Sequence, residues 1–392
     1  DNEQDLATLD ELAIATIDLV CVNLYPFEEA RDRGEEDLVE FIDIGGPTLL
    51  RAAAKNHQDV IVVTDPEDYD KVLARLKDDS LDLEYRRYLA GKVFRKTSLY
   101  DQAIADWLQG EDHLTLDFEL QQKLRYGENP RQEAAFYRSP VVSDCSLASA
   151  KQLNGKALSY NNIQDANAAL ELLLEFPDEP CAVGLKHMNP CGVGFGPDIE
   201  TAWDLAYESD SMSIFGGIVA LNREVTAPLA RKLHSIFLEI IIAPSYSDEA
   251  LKILTTKKKN LRLLELPMHD GSPKEKRRFV SVMDGLLMQS RDTKRVTREE
   301  CTVMTDVEPA EEDWDDLLRA FTLVKHVKSN AILLYKDNGT VGVGMGQPNR
   351  VGAADIAIRQ AGDKTKGSVM ASDAYFPMPD TVELAIKHGV RA

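Results

Sequence analysis

Short apolar runs of strand length recur along this chain, separated by stretches with helical patterning, and that alternation restricts it to an α/β architecture. Residues 17–22, 60–65, 213–220, 237–244 and 331–335 read as strands, most of them buried. Two glycines and a proline open a helix at 45–57, where unpaired N–H groups could hold an anion. The pattern from 69 to 109 is long, charged and helical, and a domain boundary is expected near residue 115. A helix at 162–176 places Ile163, Ala166, Leu170, Leu173 and Leu174 on one face, to pack beneath the strand that follows it. Further helices are expected up to residue 14, from 351 to 360, and at the end of the chain. In the first part of the chain, the strands at 17–22 and 60–65 alternating with helices predict a parallel sheet.

At 392 residues the chain is long enough for two or three domains. Its net charge of -21 argues against a general nucleic-acid binder. The basic cluster at 274–278 reads as a solvated loop that could attract an anionic substrate tail. Five scattered cysteines, none in Cys-x-x-Cys spacing, indicate neither a disulfide framework nor a structural zinc site. No apolar run is long enough for a membrane span and no leader is recognisable, so the cytoplasm is the default.

The most reactive-looking stretch is 182–192. A strand-length run breaks into Lys186 and His187, followed by an expected Asn189-Pro190-Cys191-Gly192 turn. In α/β proteins, groups at the carboxyl end of a strand face the crevice where ligands bind. A neutral imidazole beside an ammonium suits a reaction in which one removes a proton and the other stabilises an oxyanion. Taken alone, such a pair is more often a surface lysine beside a turn histidine. Arg125 and Tyr126, ahead of a Gly and an Asn-Pro turn, could bind phosphate or carboxylate, or could simply cap an exposed turn. Gly216 and Gly217 mark either close approach to a ligand or a bulge. Glu239, in a buried strand, needs a partner or a ligand. Asp337-Asn338-Gly339 is a hairpin turn. The return strand at 341–346 has alternate glycines, which are not the dinucleotide fingerprint and instead flatten one sheet face for a ring or a close backbone.

Several segments together resemble the bifunctional purine biosynthesis family in which AICAR transformylase is joined to IMP cyclohydrolase. They are residues 22–27, 42–46, 49–57, 124–130, 185–192, 214–217, 328–330 and 373–377, in the family's order and across essentially the whole chain. The resemblance implies formyl transfer from 10-formyltetrahydrofolate to AICAR, then closure of the product, FAICAR, to IMP. By resemblance His187 accepts the proton of the attacking amine, Lys186 stabilises the transition state and Asn330 orients the substrate. Arg125, Tyr126, Gly216 and Glu239 would bind AICAR. Arg350, Val351, Tyr375 and Asp380 would line the folate side, and a potassium ion would sit near Asp373. Asn23, Tyr25, Asp43, Ile44 and Lys55 match the cyclohydrolase pocket.

The implied fold is α/β: a partial methylglyoxal-synthase-like parallel-sheet domain at 1–115 carrying the cyclohydrolase, then a duplicated cytidine-deaminase-like domain at 116–392 carrying the transformylase. The resemblance implies a homodimer that binds AICAR, FAICAR, IMP and reduced folate, without zinc, nucleic acid or membrane. The family's phosphate loop and its carboxyl-terminal arm have no counterpart among these residues. The cyclohydrolase activity of these 392 residues alone is therefore expected to be absent. The alternatives are a single-activity formyltransferase and a non-catalytic remnant that binds a purine nucleotide or dimerises.

Overall fold

The computed structural model describes residues 3–110, 112–269 and 275–392. It forms two compact units, Asp1–Leu116 and Asp117–Ala392.

In the first unit, α1 (Glu3–Glu11) buries no residue. The strand expected at 17–22 shrinks to β1 (Leu19–Cys21), which is largely exposed because it pairs on one side only. After α2 (Phe27–Arg33) and α3 (Gly45–Lys55) comes β2 (Ile61–Val63), buried throughout and parallel to β1. The long helical stretch divides into α4 (Tyr69–Lys77) and α5 (Leu83–Gln109). Asp79 at φ 51° stops the first, and the Asp82 carboxylate starts the second by accepting from Tyr85 N–H at 2.8 Å. At the α3 amino terminus one N–H is already taken, since Asp43 accepts from Gly46 N–H at 2.7 Å. A Cβ on Gly46 would stand 2.5 Å from that carboxylate, so the helix start requires glycine.

The second unit opens with a hairpin of β3 (Glu119–Leu124) and β4 (Ala134–Arg138), then β5 (Lys151–Asn154) and α6 (Tyr160–Leu173). The chain continues through β6 (Cys181–Lys186), β7 (Asn189–Phe195), α7 (Ile199–Ser209) and β8 (Ile218–Leu221). It follows with α8 (Ala227–His234), β9 (Ile240–Ala243), α9 (Asp248–Thr255) and β10 (Arg262–Glu265). A ribbon of β11 (Arg277–Val282) and β12 (Gly285–Ser290) takes in part of the basic cluster read as a loop, whose Lys274 lies outside the described residues. Last come α10 (Trp314–Val324), β13 (Ile332–Lys336), β14 (Gly339–Gly344), α11 (Arg350–Ala361), β15 (Val369–Ser372) and α12 (Asp380–Lys387).

Nine strands form one sheet in the order β15-β13-β14-β7-β6-β8-β9-β10-β5. The sheet is mixed rather than parallel: only β8–β9 and β9–β10 run parallel. The reason is local, since β6–β7 and β13–β14 are joined by two residues each and so cannot make a parallel crossover. On one face α6 and α10 bring Leu170, Leu173 and Leu323 onto Val183, Leu185 and Leu333. On the other, α7, α8 and α9 bring Trp203, Leu229 and Leu254 onto Ala182, Val219 and Ile241, and α11 extends that layer over Ile332 and Leu334. Each Leu, Val or Ile among these contributes roughly 1.5–3 kcal/mol by leaving water.

A repeat invisible in the residue pattern emerges from the topology. The order helix, hairpin, helix, strand occurs as α6-β6-β7-α7-β8 and again as α10-β13-β14-α11-β15. Equivalent strands β7 and β14 meet antiparallel, as two copies related by a two-fold axis do. In both copies alternate glycines let a helix lie directly on a strand. A Cβ would stand 2.0 Å from Ala206 O at Gly192 and 1.8 Å from Ala353 O at Gly344. The glycines thus serve a close backbone rather than a ring.

Candidate functional site

Lys186 ends β6, and the turn that follows is His187-Met188, not Asn189–Gly192, which lies within β7. Both turn residues have positive φ, 52° and 60°, and Lys186 pairs with Asn189 across them. This is the two-residue hairpin turn whose twist matches its strands. Lys186 Nζ donates to Phe215 O at 2.8 Å, which leaves two of its three donors for other groups. His187 is exposed. Asn189 braces the turn, donating to His187 O at 2.9 Å and accepting from Lys328 N–H at 3.0 Å. The second of these ties the hairpin to the loop that carries Asn330. Cys191 is a core thiol, pushed up to about 12 by burial and then by Asp210, so it is not a thiolate nucleophile.

On the Phe215 side, Gly216 adopts φ 74° and donates to Phe237 O at 2.7 Å. The strand expected from 213 therefore begins only at Ile218, because the Gly pair makes a turn. Glu239 lies just ahead of β9, and its required partner is Arg262, 2.7 Å away. Arg125 and Tyr126 follow β3, with the guanidinium over the ring at 5.5 Å.

Asn330 opens a cavity of 370 Å³ that also takes in Arg350, Val351, Tyr375 and Asp380. The structure thus brings five of the expected residues to one depression. Arg350 is nevertheless committed to protein groups. Its guanidinium donates to Asn330 Oδ1 at 2.7 Å and Ser372 Oγ at 2.9 Å, and pairs with the Asp373 carboxylate. Burial raises the Asp373 carboxyl, but hydrogen bonds from Ser329, Ala331 N–H and Arg350 outweigh it and hold the group below its ordinary value. Those three donors occupy most of the acceptor positions of this carboxylate.

In the first unit, Asn23 accepts from Tyr69 OH at 3.0 Å, and Tyr25 is exposed beside it. The segments bearing Tyr25 and Asp43 pack on one cluster, in which Leu24, Phe27, Phe41 and Ile42 meet. Ile44 precedes α3 and is exposed. Lys55, in the last turn of α3, lies roughly 16 Å along the axis from Ile44.

Two features were not legible as functional in the sequence. Asp165, on α6, reaches the His187-Met188 turn by accepting from Met188 N–H at 2.9 Å. Asp144, Cys145 and His269 are, among the described residues, the one His/Cys/Asp/Glu group close enough to share a metal ion. The sulfur is 3.5 and 3.4 Å from the two ring nitrogens of His269, so it packs against the imidazole rather than along a lone pair. No helix among the described residues is long and apolar enough to cross a membrane.

Known proteins share this chain's sequence closely. A family model described as "AICARFT/IMPCHase bienzyme" matches residues 53–360. The "Bifunctional purine biosynthesis protein PurH" of Oceanobacillus iheyensis is 53% identical over 400 residues, covering 100% of this chain and 78% of that protein. The protein of the same name from Bacillus subtilis is 56% identical over 401 residues, with the same coverage. A solved structure titled "Crystal structure of ForH" aligns with 29% of this chain and 61% of its own at 36% identity, with a TM-score of 0.25, too low to bear on the fold. Matched over most of its length by the family model and more than half identical to both relatives, the chain belongs to the AICARFT/IMPCHase bienzyme family.

Proposed function

We infer that this chain acts in de novo purine synthesis, transferring a formyl group from 10-formyltetrahydrofolate to AICAR, within a family whose members also close FAICAR to IMP. Family membership carries the reading, and the non-catalytic alternative has no comparable support. The AICAR amine is a weak nucleophile, so its proton must leave as the bond to the formyl carbon forms. His187 accepts that proton, and Lys186 stabilises the oxygen as it turns anionic. Asn330, clamped by Arg350, orients the substrate. Arg125, Tyr126, Gly216 and Glu239 serve AICAR, while Val351, Tyr375 and Asp380 serve the folate side. The tie between Asn189 and Lys328 supports this division, because it joins the Lys186-His187 hairpin to the Asn330 loop.

The cyclohydrolase belongs to residues 1–115, read as methylglyoxal-synthase-like, with Asn23, Tyr25, Asp43, Ile44 and Lys55. The transformylase belongs to 116–392, and the repeated module supports its reading as a duplicated cytidine-deaminase-like domain. The protein works as a homodimer in the cytoplasm, and the exposed Val280, Leu287 and Met288 of the β11–β12 ribbon offer a surface for a second copy.

The test is formyl transfer followed spectroscopically through the folate, with FAICAR as a separate substrate. His187→Ala is expected to lower turnover by roughly two to four powers of ten, and Lys186→Ala by roughly two to three. Together they should lose less than the sum, since both serve one transition state. Near-normal turnover in His187→Ala would overturn the mechanism.

A further inference from the structure

We propose that Asp165 is a positioning residue for His187, its carboxylate holding the backbone of the β6–β7 turn from α6 with the imidazole within its field. This role rests on the formyl-transfer reading and adds to it a residue outside the expected site.

The turn needs an outside anchor. Positive φ at two successive positions favours Asn and Gly, and here His187 and Met188 take those conformations instead. Their amides are fixed by Asp165. Met188 N–H donates to its Oδ1 at 2.9 Å, and His187 N–H lies against the same carboxylate. The anchor is rigid because α6 carries it. That helix begins with a Ser159–Asn162 capping box and packs Leu170 and Leu173 against β6.

An asparagine could accept the same amide hydrogen bonds, so the charge needs a separate explanation. Asp165 is half-buried, and burial pushes its carboxyl up. The Met188 amide, the His187 imidazole and the His187 amide oppose that. The other ionisable groups around it are differently engaged. Lys186 donates to Phe215 O and is not among the charges acting on Asp165, and Cys191, which lies within the field of both Asp165 and Asp210, is held as a neutral thiol. The imidazole is therefore the partner for which the charge matters. A fixed carboxylate orients the ring and stabilises the imidazolium formed when His187 takes the amine proton. Asp165 stays ionised and takes no proton itself.

The experiment measures kcat and KM for AICAR between pH 6 and 9, with melting temperatures, for wild type, Asp165→Asn and Asp165→Glu. Asp165→Asn keeps an acceptor of the same size on the same helix face, so it removes charge with little change of shape. It should lower kcat at least tenfold, leave KM within threefold, and move the acid limb of the kcat profile to lower pH by about half a unit or more. The limb moves that way because a carboxylate favours the protonated ring. Asp165→Glu keeps the charge at a displaced position and should return the limb to its wild-type place with kcat still reduced at least threefold. The role is overturned if Asp165→Asn retains kcat within threefold of wild type, if its acid limb does not move, or if Asp165→Glu reproduces its profile. Should Asp165→Asn fail to fold, Asp165→Glu decides alone: a wild-type kcat overturns the role, and a reduced kcat with a wild-type limb supports it. A wild-type chain without formyl transfer would overturn the underlying reading as well, whereas an active chain indifferent to Asp165 overturns this role alone.

Discussion

Arg350 offers the sharpest test of how the cavity around Asn330 is held. Its side chain is 9% exposed, and its guanidinium serves Asn330, Ser372 and Asp373 together. Arg350→Ala leaves the Asp373 carboxylate, itself 15% exposed, without its counter-charge, although Ala331 N–H still donates to it at 2.9 Å. Stranding one partner of a buried pair costs about 3–5 kcal/mol. Adding Asp373→Asn removes the stranded charge but keeps an acceptor for that amide, so the double variant should lose about 2 kcal/mol less than the two single losses summed. Arg350→Lys keeps a charge but not the fork and should fall between, since one ammonium cannot reach three acceptors in fixed directions. Urea unfolding followed by tryptophan fluorescence reads this, because Trp203 and Trp314 lie in the second unit. If Arg350→Ala costs under about 1 kcal/mol, or the two losses simply add, the guanidinium is not the clamp described here and is free for substrate.

Glu175 gives a pH-dependent counterpart. Burial raises its carboxyl, but hydrogen bonds from His326 and Lys325 outweigh that and lower it from 4.5 to about 2. Because the folded value is depressed, the stabilisation, about 3 kcal/mol, is complete above pH 4.5 and lost as pH falls toward 2. Glu175→Gln should therefore destabilise at pH 7 and make no difference near pH 2; an equal effect at both would refute the pairing. Gly344→Ala should cost about 1–3 kcal/mol or more, because its Cβ would meet a helix carbonyl at 1.8 Å. Formyl transfer should fall with it, since α11 carries Arg350 at its start. The control is Gly91→Ala, in α5 with nothing within 4 Å, which should be neutral or slightly stabilising; a melting curve for Gly344→Ala matching that control would contradict the close packing.

The α/β class was legible because strand cores such as 240–243 and 332–335 are unbroken apolar runs that little but a sheet can bury. The parallel pairing expected of the first unit is there in β1 and β2, whereas the mixed sheet of the second unit went unforeseen for an identifiable cause. Asp337-Asn338-Gly339 announces its hairpin through residues that accept positive φ, whereas His187-Met188 makes the same turn without that signature. With that hairpin unseen, β6 and β7 merged into one strand and a supposed turn. The glycines of 341–346 were legible as marking something close, but the neighbours of Gly342 and Gly344 are Ala357 O and Ala353 O, supplied by a helix further along the chain. Residues grouped by resemblance, Asn330 to Asp380, do share one cavity. Resemblance alone could not foretell that Arg350 is bound up with Asp373 and Asn330, because that depends on three segments meeting. Asp165 had no signal at all: an acid on an amphipathic helix looks like a solvated one.

The His187-Met188 turn sets stability and activity against each other at one position. Asparagine followed by glycine would adopt those dihedral angles more readily, and such a replacement belongs to the class that commonly makes a protein more heat-resistant. Here it would also delete the imidazole. On the role proposed for His187, random screening for thermal tolerance should therefore recover inactive variants at 187, and a library meant to keep formyl transfer must hold His187 fixed while seeking its gains elsewhere.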